Sequence, residues 1–378
     1  MLQDLLSSYQ LPALVSPDKA KELLSSTLYG YMPPPPDRMA CQLIEEKKHD
    51  EYTYIRTYSL TITIGHQSFS FPFYFTYPSQ KGNGQTIVYI KFRPDIDHQF
   101  PAETVAKRGF CVLYFGYQDV TKDNDDFTDG IAKLFFPDGH RKTFDPGKLM
   151  LWAWTAMRVL DAAELIPEIP TTAVSVAGFS RLGKSALLAG GFDKRFYAVY
   201  SNESGRCGAA LHQNNKGEPL DHMRKVFPYW FCPHFNAQNW EIPANFDQHF
   251  LLSLIAPRKL YVASAAEDDW ADPRNEFLCL LAAQEAWLSP GIHISDSVKH
   301  NDASVNQAAK NNKTSKDTIQ MDKSFSNEKN ERFFDGRLPR EGDVYHGKYL
   351  AYHLRPGKHA FTDLDWEFMM DCLEHWGK

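Results

Sequence analysis

The residues best suited to chemistry form one short segment, GFSRLGKS at positions 178–185. As G-x-x-x-x-G-K-S, the segment satisfies the phosphate-loop pattern, in which main-chain amides surround a nucleotide and Lys184 reaches its phosphates. As a strand that ends in G-x-S, it predicts a nucleophile elbow, a sharp strand-to-helix turn that exposes the hydroxyl of Ser180. The two interpretations predict different functions, nucleotide binding and acyl transfer.

The position of this segment in the chain favours the elbow. A phosphate loop usually opens its domain, and a later strand supplies an aspartate for Mg²⁺. Here about 170 residues, already containing predicted strands, precede the motif. The one later strand that ends in carboxylates is LYVASA, which Glu267, Asp268 and Asp269 follow closely. This strand keeps nucleotide binding open as the alternative.

A serine, an acid and a histidine follow one another in the order that α/β-hydrolases use. Ser180 follows the apolar run VSVAG, Asp268 follows LYVASA, and His359 lies in a predicted loop before the last helix. The imidazole would accept the serine proton, and the carboxylate would fix the imidazole tautomer. The backbone N–H of Arg181 is the expected oxyanion donor. The carboxyl ends of parallel strands would gather these groups at one sheet edge.

The elements that must position these residues alternate along the chain. Residues 54–64 and 69–77 predict a hairpin, and residues 148–164 have helical spacing of apolar side chains. Other apolar runs of strand length are 86–92, 109–115, 173–178, 196–202 and 260–265. Strands alternating with helices predict an α/β fold, with a mostly parallel central sheet, helices on both faces and three layers in all.

We expect residues 1–40 to form an N-terminal arm and residues 41–378 a single α/β domain. Positions 294–332 are rich in Asn, Asp, Lys and Ser, so they predict a polar, disordered insertion in that domain.

The composition argues against some classes of binding partner and indicates a cellular location. The net charge of −6 and the pI near 6.2 argue against nucleic acid and anionic membranes as partners. No apolar run reaches the length of a membrane span, and the first residues lack the pattern of a signal peptide. The six cysteines show no zinc spacing, so we expect free thiols in a reducing, cytoplasmic location. We also expect no metal or other cofactor. The sequence indicates no particular oligomeric state.

Several blocks of the sequence resemble carbohydrate esterase family 15, the glucuronoyl esterases, in its bacterial form. The resemblance covers about residues 86–290 and 345–376. The blocks that carry it are GFSRLGK at 178–184, ESGRCGAA at 203–210, WFCP at 230–233, DQH at 247–249, IAPR at 255–258, AEDDWADP at 266–273 and YHLRPGKH at 352–359.

The resemblance implies an α/β-hydrolase that cleaves esters of 4-O-methylglucuronic acid through an acyl-enzyme. It implies Ser180 as nucleophile, His359 as general base, and either Glu203 or Asp268 as the acid that orients His359. It also implies that Arg181 assists the oxyanion.

The resemblance further implies that Lys184, Glu218 and Trp270 contact the sugar. A deacetylase of acetylated sugars with the same triad remains an alternative, as does a non-catalytic carbohydrate-binding relative.

The sequence departs from the family at several positions. Secreted fungal members carry cysteines, joined as a disulfide, where this chain has Phe179 and Ala360. Arg206 and Cys207 stand where small residues are usual.

Overall fold

The structure is a computed structural model that describes residues 2–288 and 336–377. The insertion predicted at 294–332 lies outside the described residues. Within them, all named strands join one ten-stranded sheet. The strands are β1 (Arg38–Lys48), β2 (Thr53–Ile64), β3 (Gln67–Pro78), β4 (Gln85–Lys91), β5 (Cys111–Gly116), β6 (Ala173–Phe179), β7 (Ala198–Asn202), β8 (Lys259–Ala265), β9 (Val344–His346) and β10 (Leu350–Arg355).

The helices surround this sheet. In chain order they are α1 (Leu2–Ser7), α2 (Pro17–Leu24), α3 (Ala102–Lys107), α4 (Tyr117–Val120), α5 (Ala132–Phe135), α6 (Lys148–Glu164), α7 (Arg181–Phe192), α8 (Leu220–Val226), α9 (His249–Ser253), α10 (Pro273–Ala283), α11 (Glu285–Leu288) and α12 (Asp363–Trp376). In the part of the chain that the structure describes, no helix has both the length and the apolar character needed to cross a lipid bilayer.

The sheet order is β1-β2-β3-β5-β4-β6-β7-β8-β10-β9. The run from β5 to β10 is parallel, whereas β1, β2, β3 and β9 pair antiparallel with their neighbours. Successive residues of a strand face opposite sides. In β4, Val88 and Ile90 belong to the core that includes α6 and α7, while Ile87 and Tyr89 face the core that includes α12. The protein therefore has a three-layer α/β fold, with helices on both faces of a mostly parallel sheet.

The parallel strands β4 to β8 lie close to their predicted positions, and α6 has the predicted bounds. The prediction missed β1, because nearly all of its side chains are exposed and it lacks an apolar signal. The prediction of a loop from Leu354 to His359 was wrong at its start, because Leu354 and Arg355 complete β10 beside β8. A six-residue strand directly before a Pro-Gly turn leaves little periodicity to recognise.

The N-terminal residues pack on the core layer that includes α6 and α7. Leu24, Leu28 and Tyr29 are fully buried there. The hydroxyl of Tyr29 donates to the main-chain carbonyl of Cys207 at 2.9 Å. This segment therefore supports the loop that follows Glu203.

Candidate active site

The turn between β6 and α7 has the geometry of a nucleophile elbow. Ser180 has φ 58° and ψ −129°, a strained conformation that places its side chain at the helix N-terminus. At Gly178, a Cβ atom would lie 2.1 Å from the carbonyl oxygen of Leu182, so only glycine fits beneath the turn. The elbow interpretation, and not the phosphate loop, describes this segment.

The structure brings Ser180, His359 and Asp268 into one hydrogen-bonded chain. Nε2 of His359 lies 3.0 Å from Oγ of Ser180, and Nδ1 lies 2.6 Å from Oδ2 of Asp268. His359 is part-exposed, whereas Asp268 is buried just beyond β8. This geometry allows the imidazole to take a proton from the serine while the carboxylate holds its orientation.

Glu203 provides a second carboxylate on the same imidazole. It follows β7 and is buried, and its Oε2 lies 3.1 Å from Nδ1 of His359. The same oxygen accepts the N–H of Ala360 at 3.0 Å, and the other oxygen pairs with Arg355. His359 is thus held from two sides.

Burial and charge oppose each other in this group. Burial disfavours the imidazolium, yet the hydrogen bonds to Asp268 and Glu203 raise the pKa of His359 to about 9. Burial raises the pKa of Glu203 to about 7, against the opposing contacts of His359 and Arg355. For Asp268, burial acts to raise the pKa, but the hydrogen bond and charge of His359, together with the N–H of Ala271, lower it overall. At neutral pH, the charge of Asp268 is therefore held more firmly than that of Glu203.

The ring of His359 also rests on Phe179, with ring centroids 4.6 Å apart. All six cysteines are free thiols. Packing, and not a disulfide, therefore connects the elbow to the histidine loop.

Arg181 lies beside Ser180, and its guanidinium is fixed from several directions. It pairs with Asp123 and stacks over Trp230, 4.8 Å from the ring centroid. Asp123 also accepts the indole N–H of Trp230 at 2.7 Å and the hydroxyl of Tyr117 at 3.0 Å. The Arg181 side chain is thus a preorganised cation at the edge of the site, while its backbone N–H opens α7.

Lys184 lies one turn further along α7 and is buried. Its ammonium donates to the main-chain carbonyls of Ser204 and Arg206, the latter at 2.7 Å. Burial lowers its pKa, and the charge of Glu218 is the strongest influence in the opposite direction. In a phosphate loop, this lysine would instead project towards open solvent and a nucleotide.

A cavity of about 270 Å³ opens in front of Ser180. Residues predicted from sequence share its wall: Ser180, Arg181, Lys184, Glu203, Glu218, Trp270 and His359. Trp270 is 53% exposed at the rim, as expected for a ring that receives a ligand and not for a core aromatic.

Several other residues of the wall were not assigned to the site from the sequence: Arg206, His222, Phe227 and Trp230. Asp123, which fixes Arg181, was missed as well. Asp123 lies among several acids between β5 and α6, so spacing alone could not distinguish it. Arg206 was recognised as a departure from the family, and this was the available signal.

The ligand atoms of Glu203, Asp268 and His359 all lie within 4.8 Å of one another, close enough to hold a metal ion. Both ring nitrogens of His359 are already engaged, one by carboxylates and the other by Ser180. The arrangement therefore suits proton transfer between Ser180 and His359.

Comparisons with known proteins found similar sequences and structures. A family model described as "Glucuronyl esterase, fungi" matches residues 60–291. The carbohydrate esterase MZ0003 from an unknown prokaryotic organism is 34% identical over 230 residues, which are 61% of this chain and 44% of that protein. The 4-O-methyl-glucuronoyl methylesterase of Hypocrea jecorina is 32% identical, with 62% and 51% covered. The chain thus spans about half the length of these curated relatives.

Solved structures support the fold. A glucuronoyl esterase from Solibacter usitatus is 23% identical with a TM-score of 0.76, and 97% of each chain is covered. A glucuronoyl esterase from Sporotrichum thermophile, solved with methyl 4-O-methyl-beta-D-glucopyranuronate, is 21% identical with a TM-score of 0.55, and covers 72% of this chain and 71% of its own.

Proposed function

The chain belongs to the glucuronyl esterase family, and on that premise we propose that it is a serine esterase that hydrolyses esters of 4-O-methylglucuronic acid or closely related uronic acids. The observation that carries the proposal is the Ser180–His359–Asp268 chain of hydrogen bonds at the mouth of the cavity. The relatives named for methyl glucuronoyl esters support the substrate class.

The reaction begins when Oγ of Ser180 attacks the ester carbonyl carbon. Nε2 of His359 accepts the serine proton, and Asp268 stabilises the resulting imidazolium. The oxyanion faces the N–H groups at the start of α7 and the guanidinium of Arg181. Collapse of the tetrahedral intermediate breaks the ester bond, and the alcohol leaves with the proton from His359.

Water then completes the cycle. His359, neutral again, takes a proton from a water molecule, whose oxygen attacks the acyl carbon. The uronic acid leaves, and the proton returns from His359 to Ser180. Every proton step uses side chains of this chain, so the proposal requires no cofactor.

We place the sugar between Trp270 at the rim and Glu218 at the cavity wall. A pyranose face packs on an aromatic ring, and a carboxylate accepts hydroxyl protons. We assign Lys184 mainly to holding the main-chain turn at Ser204, because two carbonyls already occupy its ammonium. Substrates released from glucuronoxylan and a reducing cytoplasm belong to the same proposal, supported by the six free thiols.

The test is hydrolysis of benzyl glucuronate by wild type and by Ser180→Ala. The variant is expected to lose at least about 10³-fold in kcat, because no other group forms the acyl-enzyme. Ser68→Ala, on the exposed β2–β3 hairpin, is the matched control and should keep full activity. Turnover of acetylated xylose in preference to the glucuronate ester would favour the deacetylase instead.

A further inference from the structure

Arg355 ends β10 and lies almost fully buried between two carboxylates. Its guanidinium pairs with Glu203 and donates through Nε to both oxygens of Asp365, at 2.9 and 3.1 Å. A planar guanidinium suits this two-sided contact, because its donors point in fixed directions. The mechanism above gives this residue no role.

The same guanidinium also holds the loop that carries the base. It donates to the main-chain carbonyls of Pro356 at 2.9 Å, Lys358 at 3.0 Å and Ala360 at 2.7 Å. His359 lies between the last two of these residues. One side chain therefore fixes the carbonyls of the two residues on either side of the base.

Asp365 anchors Arg355 to the rest of the fold. Its carboxylate caps α12 through the N–H of Thr362 at 2.8 Å. It also contacts Asn202 at 2.8 Å and His353 at 2.9 Å. Arg355 is consequently tied to the end of β7 and to the start of α12, two elements that do not belong to the loop.

Glu203 transmits the charge of Arg355 to His359. One of its oxygens faces the guanidinium and the other lies 3.1 Å from Nδ1 of His359. A buried carboxylate without a cationic partner takes up a proton and becomes neutral. The guanidinium therefore decides whether one or two negative charges face the imidazole.

We propose that Arg355 is a positioning residue, which keeps Glu203 ionised and presents His359 to Ser180. This inference rests on the proposed function only for the roles of Ser180 and His359 and not for the identity of the ester. The charged and titratable groups around the pair Glu203 and His359 are Asp268, Glu276, His353, Arg355 and Asp365.

The experiment measures the rate of Ser180 labelling by a fluorophosphonate between pH 5.5 and 10. Labelling needs only the nucleophile and its base, so it reports on Arg355 even if glucuronate esters are not substrates. In Arg355→Met, the midpoint of the profile is expected to fall by about one pH unit. The plateau rate is expected to fall about tenfold because the loop loses its anchor.

Two further variants separate charge from anchoring. Arg355→Lys keeps the positive charge but loses the several N–H donors of the guanidinium. It should therefore keep the wild-type pH midpoint and show a lower plateau rate of labelling. Glu203→Gln removes the negative charge of the Glu203 carboxylate beside His359 and leaves the contacts of Arg355 with the loop carbonyls in place. It should therefore lower the pH midpoint as Arg355→Met does. It also provides the test if Arg355→Met fails to fold.

The matched control is Arg258→Met. Arg258 donates to the carbonyls of Gly190, Asp193, Phe196 and Leu254, well away from the histidine loop. It should lower the thermal midpoint and leave the pH midpoint unchanged. The proposal is overturned if Arg355→Met and Glu203→Gln also keep the wild-type pH midpoint, since Arg355 would then be merely structural.

Discussion

Asp268 and Glu203 contact the same nitrogen of His359 in different ways. Asp268 is closer, at 2.6 Å against 3.1 Å, and it has no guanidinium across from it among the described ion pairs. Glu203 shares its charge with Arg355. The shorter contact and the unshared charge favour Asp268 as the main partner of the imidazolium.

Asp268→Asn is therefore expected to lower kcat about 100-fold. This is less than the 10⁴-fold loss typical when a triad loses its only acid, because Glu203 still contacts the ring. Glu203→Gln should cost less than tenfold at the pH optimum, since Asp268 remains. Steady-state kinetics on benzyl glucuronate compare the two, and a larger loss for Glu203→Gln would reverse the assignment.

Trp270 offers a test of sugar binding that leaves the chemistry intact. Trp270→Ala is expected to raise KM about tenfold with little change in kcat, because the ring packs on the substrate and not on the reacting ester. Leu165→Ala, at an exposed apolar residue after α6, is the control. Equal KM values for wild type and Trp270→Ala would remove Trp270 from the sugar site.

At the scale of the elements, α7 must lie close to β7 to hold the elbow in place. Gly190 is where the helix meets the strand, since a Cβ there would lie 2.1 Å from Cγ2 of Val199. Gly191, its neighbour, has 3.4 Å of room beside Leu251 and Leu254. The two glycines thus differ in packing but share one helix.

Gly190→Ala should destabilise the protein by about 1–3 kcal/mol, because the stiff side chain of Val199 cannot move aside. Gly191→Ala should be neutral or stabilise by up to about 1 kcal/mol, because alanine suits a helix interior better. Urea denaturation measures both free energies of unfolding. Equal effects of the two substitutions would contradict the close approach at Gly190.

The elements that sequence predicted well are those with a strong apolar signal. The run of strands from β4 to β8 and the whole of α6 could be read from buried residues. The edge strand β1 could not, because its side chains are mostly exposed. The short β10 could not either, because its six residues, most of them buried, include His353 and Arg355 and give no continuous apolar run. Asp268 and His359 could be predicted as partners of Ser180 from their order in the chain. The contacts of Asp123 with Arg181, and of Arg355 with Glu203 and the histidine loop, could not, because only the folded chain brings these residues together.

At the scale of the whole molecule, buried groups at the site couple stability to pH. The folded protein raises the pKa of His359 to about 9 and that of Glu276 to about 8, the latter through burial. Both groups therefore bind protons more tightly in the folded state than in the unfolded chain. Over the pH range in which the unfolded chain has released these protons and the folded protein still binds them, the free energy of unfolding decreases as pH rises.

The midpoint of thermal unfolding is consequently expected to fall as pH rises from 6.5 to 9. The contribution of His359 is fully present below its unfolded pKa and is lost as pH passes its folded pKa. The contribution of Glu276 to stability also decreases as pH rises, until the pH passes the folded pKa of Glu276. Glu276→Gln should flatten the curve, whereas Glu341→Gln, at an exposed site, should not. A midpoint that rises over this range would contradict the assigned shifts.

The contact between the rings of His359 and Phe179 has a practical consequence for how active protein can be produced. A crosslink must be made by an oxidant and can be cut by a thiol reagent, but a ring contact forms as soon as the chain folds. Dithiothreitol should thus leave turnover untouched, and a bacterial expression host should yield working enzyme without any oxidoreductase.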